Sequence, residues 1–223
     1  MLRFLALSLA QLSDPRLLRV LAKSVAITLV VMLVLLAGAW YALAELPIRE
    51  GWLHWTLGIF GAVAALFLTA VLFSVVASLV VSLFLDEVAD AVEARHYPHA
   101  GPARRQTLAE LFHAGWRFAA TSLLLNLLAL PVYVFVPAIN LFVFYGLNGY
   151  LVSRAYFELV AFRRLAPREA RRLRLAHPVE MLLVGVLAAV ALTVPLVNLA
   201  APVVATALMV HVYHGFEGRG RAG

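Results

Sequence analysis

The chain has 223 residues, of which 64% are hydrophobic and only 13% charged, with a mean hydropathy of +0.93. That balance excludes an ordinary soluble domain and points to an integral membrane protein, and the absence of cysteine excludes disulfides, iron–sulfur clusters, thiolate zinc sites and cysteine nucleophiles. The net charge of +6 would suit a nucleic-acid partner, but the basic residues lie between apolar stretches rather than on one polar domain, so membrane topology accounts for them and no nucleic acid is expected.

In chain order, residues 1–14 open with Arg3 and a short apolar run that imitates a signal peptide. Cleavage there would export Arg16, Arg19 and Lys23 against the charge bias, so an uncleaved helix lying in the interface is expected. Ser13-Asp14-Pro15 has the form of a helix start, with a side-chain oxygen as cap and proline at the first helical position, and it opens a first span over residues 15–46. Trp52, His54 and Trp55 anchor a second, over 51–97. Its apolar run passes into Asp86–Arg95 without a breaker, which predicts one long helix projecting into the cytoplasm. Asp86, Asp90 and Glu93 form an acidic stripe on it, a solvated or subunit-facing surface, with a cation or proton site as the functional alternative.

Tyr97–Pro102 is a loop, and Pro102 suits the first turn of an amphipathic interfacial helix bearing Arg104, Arg105, Leu108, Leu111, Phe112 and Trp116. It leads a unit over 102–164 that contains a first helical hairpin. His96 and His99 flank a proline and lack a third ligand, so no metal is expected. A second unit, 167–216, joins a basic helix to a second hairpin, and the arginines from Arg163 to Arg174 are read as contacts to anionic lipid headgroups.

The hairpins carry a repeat. Val136-Pro137-Ala138-Ile139-Asn140-Leu141 returns 58 residues later as Val194-Pro195-Leu196-Val197-Asn198-Leu199, each copy inside a long uncharged stretch. Such breaks survive at membrane depth only where they are buried in protein or line a cavity. Of the eighteen basic residues, all but Arg49 fall on segments assigned to the cytoplasm, together with both termini. The uncharged arms number 19 and 13 residues in the first hairpin and 14 and 18 in the second. The shorter arm of each reaches only about 20 Å, so re-entrant hairpins are expected, with six full spans as the alternative. The expected fold is an all-α integral membrane protein of two long transmembrane helices, two re-entrant (hemi-penetrating) hairpins and amphipathic interfacial helices, forming a single domain.

A half-helix starting at membrane depth directs free N–H groups and a partial positive charge at whatever precedes it, which favours an anion. Pro137 and Pro195 mark those starts, and Asn140 and Asn198 are placed to cap the returning helices; the alternative is a pair of buried turns with no ligand. Arg154 and Glu158 can pair one helical turn apart, as support for the site or as a plain interfacial ion pair. Arg16 and Arg19 can hold a tetrahedral oxyanion by charge-assisted hydrogen bonds or act as positive-inside anchors. There is no glycine-rich phosphate loop, HExxH or GxSxG, and no pair of acids inside an apolar segment, so neither an enzyme nor a cofactor is expected.

The order of these pieces resembles the CysZ-type sulfate permease family and its EI24-domain relatives. The pieces are the Asp14-Pro15 start with nearby arginines, Glu93-Ala94-Arg95, the paired Pro-x-x-Asn-Leu breaks, and Gly149-Tyr150-Leu151 running to Arg154, Tyr156 and Phe157. The resemblance implies a homo-oligomeric bacterial inner-membrane protein that passes sulfate or sulfite. It also implies adjacent arginines after the proline, of which Arg19 matches the second while Leu18 stands at the first, with Arg16 as substitute. Close relatives read Gly-Arg-Glu-Tyr-Phe where this chain has Ser153-Arg154-Ala155-Tyr156-Phe157. A related eukaryotic branch is linked to endoplasmic-reticulum and autophagy roles, which makes a non-transporting membrane scaffold the alternative function.

Overall fold

Asp14 starts the first long helix. In the computed structural model, which describes residues 6–8, 14–44, 69, 72–73, 76–77, 80–104, 106–198 and 200–222, helix α1 runs from Pro15 to Ala44. The Asp14 carboxylate accepts the Arg16 backbone N–H at 2.9 Å, so a side-chain oxygen satisfies a donor with no helical partner while proline fills the first helical position. Thirty residues reach about 45 Å, more than a ~30 Å hydrocarbon core. Leu17, Val20, Ser24, Thr28 and Met32 form one buried stripe, while Leu29, Val30, Leu33 and Val34 are more than half exposed, an outer face suited to lipid rather than water. Residues 6–8 are helical; the rest of the expected interfacial helix through Ser13, together with Leu46-Pro47, Trp52, His54 and Trp55, lies outside the described residues.

The expected uninterrupted second helix is corrected at Leu83 and Phe84. Described residues from 69 to 82 are helical, a two-residue turn follows, and α2 spans Leu85–His96. The Leu83 and Phe84 N–H groups donate to the carbonyls of Val80 and Val81, three residues back, which tightens the helix without glycine or proline. Packing supplies the cause. Leu85, Val88, Ala89 and Val92 enter the core while Glu93, on the same helix, is drawn in toward arginines from the far side of the chain.

Helix α3 spans Leu108–Phe135 and begins six residues later than Pro102. Thr107 accepts the Glu110 backbone N–H, and the Glu110 carboxylate accepts that of Thr107, a capping box that outranks the proline signal. The helix continues through Arg117, so the expected amphipathic helix and the outgoing arm of the first hairpin are one 28-residue element of about 42 Å. Among the described residues, α1 and α3 are long and apolar enough to cross a membrane. The apolar part of the expected second span lies mostly outside the described residues, and α3 is a long helix where the sequence predicts a hairpin arm.

Both copies of the repeat break the chain. After α3 a 3₁₀ turn occupies Pro137–Ile139, and α4 spans Asn140–Ala161. Helix α5 (Pro167–Ala176) then bends by 93° into α6 (Pro178–Thr193), followed by the single turn α7 (Pro195–Asn198) and by α8 (Ala201–Ala222). Pro167 and Pro178 open their helices at positions where a missing N–H costs nothing. Helix α4 runs on through Arg154 and Glu158, so the arms are longer than their uncharged stretches. Helices α4 and α6 meet backbone to backbone at Gly149 and Gly185. The Tyr145 hydroxyl lies 3.3 Å from that of Thr193, which puts the residue before the second break level with the second turn of α4. The core gathers Leu17, Val88, Phe157, Val184, Met209 and Tyr213 from five helices.

Candidate functional site

The first-helix arginines lie in a cleft. Arg16, Arg19 and Lys23 face Glu87 and Asp90 of α2 across a space of about 390 Å³. Lys23 is 3.9 Å from Glu87, whereas neither Arg16 nor Arg19 forms an ion pair among the described residues, the Arg16 charge acting only at longer range on Asp14. The cleft is held at its end by Asp14, whose carboxylate accepts a 2.7 Å bond from Arg95 as well as the helix-capping bond from Arg16. Those two bonds keep the Asp14 carboxyl below its ordinary range, with the Arg16 backbone bond the larger cause. The Asp14 helix start and the Glu93-Ala94-Arg95 end, 81 residues apart, are thus one contact.

The repeat residues are arranged differently from the sequence expectation. Asn140 is the first residue of α4 rather than its cap, and its amide donates to the Tyr133 carbonyl at 3.0 Å, tying the returning helix to the outgoing one. Its side-chain oxygen is buried without a partner. Asn198 is not a cap either. It closes the turn that Pro195 opens, its N–H donating to the Val194 carbonyl at 2.7 Å, and α8 starts only at Ala201. The physical reason is register. Proline takes the first position of a tight turn, so an asparagine three residues on completes that turn instead of standing before the next helix. The break residues Tyr133, Asn140, Leu141 and Phe144 line their own open depression, separate from the cleft of Arg16 and Arg19.

Arg154 and Glu158 pair at 2.9 Å, with both side chains largely buried. They join neither the cleft nor the breaks, and instead line a cavity between α3, α4 and α5.

The acidic stripe is corrected at Glu93, which is buried at 6% exposure, while Asp86 and Asp90 stay mostly solvated. The stripe is a receptor for arginine. Arg163 reaches Asp86, Asp90 and Glu93, and Arg164 donates to Glu93 at 2.8 and 3.2 Å and to the carbonyls of Ala100 and Gly101. His214 adds a 3.3 Å contact to Glu93, and Tyr97 stacks on His214 with ring centroids 4.0 Å apart. Burial alone would push Glu93 up, but the bonds from His214 and Arg164 and the charges of Arg164 and Arg163 outweigh it and bring the carboxyl to about 2. Three of the arginines read as headgroup contacts, Arg163, Arg164 and Arg174, therefore turn inward, while Arg168, Arg171 and Arg172 stay exposed. His96 meets His211 edge to face at 5.1 Å, and no group of three metal-ligating side chains stands together among the described residues.

Sequence reasoning missed the pairing of Arg163 and Arg164 with α2, for which the only signal was a run of acids and a distant run of arginines. It also missed the cavity, whose lining comes from three separate helices. None of the curated proteins matches the chain. A family model does match it, over residues 4–202, and the chain belongs to that family, described as sulfate transporter CysZ/etoposide-induced protein 2.4.

Proposed function

We propose that this membrane protein is a bacterial inner-membrane permease for a small oxyanion, sulfate or sulfite, that works as a homo-oligomer with both termini in the cytoplasm. The carrying observation is the family match over nearly the whole chain, joined to a cleft in which Arg16 and Arg19 form no ion pair among the described residues. Two guanidinium groups three residues apart on one helix can offer several charge-assisted donors to a tetrahedral anion. Onward passage runs by the two breaks, where Pro137, Asn140, Pro195 and Asn198 interrupt apolar helices, and the Arg154–Glu158 pair supports the returning arm. Helices α3 with α4, and α6 with α8, form hairpins entering from the cytoplasmic side. The 16 residues of α6 reach only about 24 Å, which supports a re-entrant second hairpin.

Radiolabelled sulfate uptake into proteoliposomes tests the activity. Arg19→Ala is expected to weaken sulfate binding by about 1.5–3 kcal/mol, the worth of a charge-assisted hydrogen bond, with expression unchanged. A folded Arg16→Ala/Arg19→Ala protein that binds sulfate as before would return both residues to anchoring, and a folded wild type without uptake would favour the scaffold.

Topology has its own test. Cysteines placed at Ala100 and Arg168 should react only with reagent supplied from the cytoplasm. Ready labelling from the periplasm at both Ala138 and Leu196 would replace the re-entrant arrangement with six spans.

A further inference from the structure

The cavity between α3, α4 and α5 encloses about 540 Å³, inside the ~300–1,000 Å³ range of small-molecule sites and far larger than a bare inorganic anion requires. Four arginines line it, Arg117, Arg154, Arg171 and Arg174, together with His113. Two of the four are buried, Arg154 at 7% and Arg174 at 6% exposure. Aromatic faces hold them in place, with the Arg154 guanidinium 5.6 Å from the Phe118 ring centre and that of Arg174 5.6 Å from Tyr150. The Arg174 Nε is buried with no hydrogen-bond partner.

Two carboxylates also line the space, and both are engaged. Glu158 holds the Arg154 Nε, and Glu110 is taken up by Arg104 at 3.1 Å and by the Thr107 cap. Four arginines against two carboxylates leave a formal excess of two positive charges. A buried guanidinium without a counter-charge is costly, so the arrangement calls for an anion.

Position along the chain identifies the anion's source. Arg117 is the last charged residue before 118–153, an uncharged stretch, and Arg154 is the first after it, so the cavity sits where two apolar helices meet polar surroundings. Beside it on α3, Leu108, Phe112 and Trp116 are largely exposed, an apolar strip with an interfacial tryptophan along which an acyl chain can lie. We propose that this cavity holds the phosphodiester headgroup of an anionic phospholipid, its phosphate between Arg117, Arg171 and Arg174 and its acyl chains along the outer face of α3. Basic pockets between membrane helices recognise headgroups by this chemistry.

The test uses the full chain purified in detergent and titrated with phosphatidylglycerol or phosphatidylcholine, with bound lipid counted by native mass spectrometry. Phosphatidylglycerol should bind preferentially at one saturable site. Arg117→Gln with Arg171→Gln changes two exposed arginines and leaves the buried pair in place; it should lower that affinity about tenfold or more. Arg168→Gln with Arg172→Gln, on the other face of α5 and outside the cavity, should leave it unchanged. Equal losses in the two double variants would reduce the effect to diffuse attraction and overturn the proposal. So would retention of phosphatidylglycerol by the cavity variant. Calorimetric titration with inorganic phosphate or sulfate in the absence of lipid supplies a third arm: binding that depends on Arg117 and Arg171, with phosphatidylglycerol binding indifferent to them, would assign the cavity to a free oxyanion.

Discussion

Glu93→Ala is expected to destabilise the folded chain by about 3–5 kcal/mol, the cost of breaking a buried ion pair from one side. The carboxylate is 6% exposed and accepts from Arg163, Arg164 and His214, so its removal leaves Arg164 with backbone carbonyls alone and takes from Arg163 its one buried acid. These contacts join α2, the turn after α4 and the second half of α8, so the loss should appear as a lower unfolding temperature in detergent for the whole protein. Asp86→Ala provides the contrast. Its side chain is 73% exposed, and a pair so screened is worth about 0–1 kcal/mol. Acid should reproduce the effect. With its folded value near 2 and its ordinary value at 4.5, Glu93 contributes its full stabilisation above pH 4.5 and loses it as pH falls toward 2. The wild-type unfolding temperature should decline through that window, and Glu93→Gln should decline less. Equal stability of Glu93→Ala and Asp86→Ala at pH 7 would sink the argument.

What could be read from sequence followed the range of the interaction. The Asp14-Pro15 start was legible because a cap and a first-position proline act within one turn. The breaks at Pro137 and Pro195 were legible because proline cannot continue a helix. The role of the asparagines was not, since one residue of register decides between a cap and the interior of a turn. Thr107-x-x-Glu110 was on view as a capping box, yet Pro102 drew the helix start forward. The turn at Leu83 and Phe84 has no breaker to announce it and follows from where α2 must pack. Arg163 and Asp86 are 77 residues apart, and nothing local says that one sits against the other. The headgroup reading failed at Arg163 and Arg164 for the same reason: burial is a property of neighbours, and their neighbours come from α2.

Gly185→Val is expected to cost about 3 kcal/mol or more and to separate α4 from α6. A Cβ at Gly185 would run into the Gly149 carbonyl, and one at Gly149 would meet the backbone and side chain of Val186. Backbone cannot move aside as a flexible side chain can, so the helices must part, and overpacking of this kind costs about 1–3 kcal/mol even where side chains can adjust. Close approach through small residues is also how helices associate when lipid supplies no hydrophobic drive between them. Gly146→Ala is the matched control, three residues from Gly149 on the same helix with nothing within 4 Å of the added carbon. It should be neutral or stabilising by about 0.5–1 kcal/mol, since alanine restricts the unfolded chain more than glycine does. The consequence reaches the breaks, because the contact between Tyr145 and Thr193 depends on the same helix pair. Gly185→Val should therefore lower the unfolding temperature and, with it, the sulfate uptake proposed for the chain, while Gly146→Ala changes neither for the worse. A Gly185→Val protein as stable as wild type would mean that α4 and α6 do not meet where their glycines face each other.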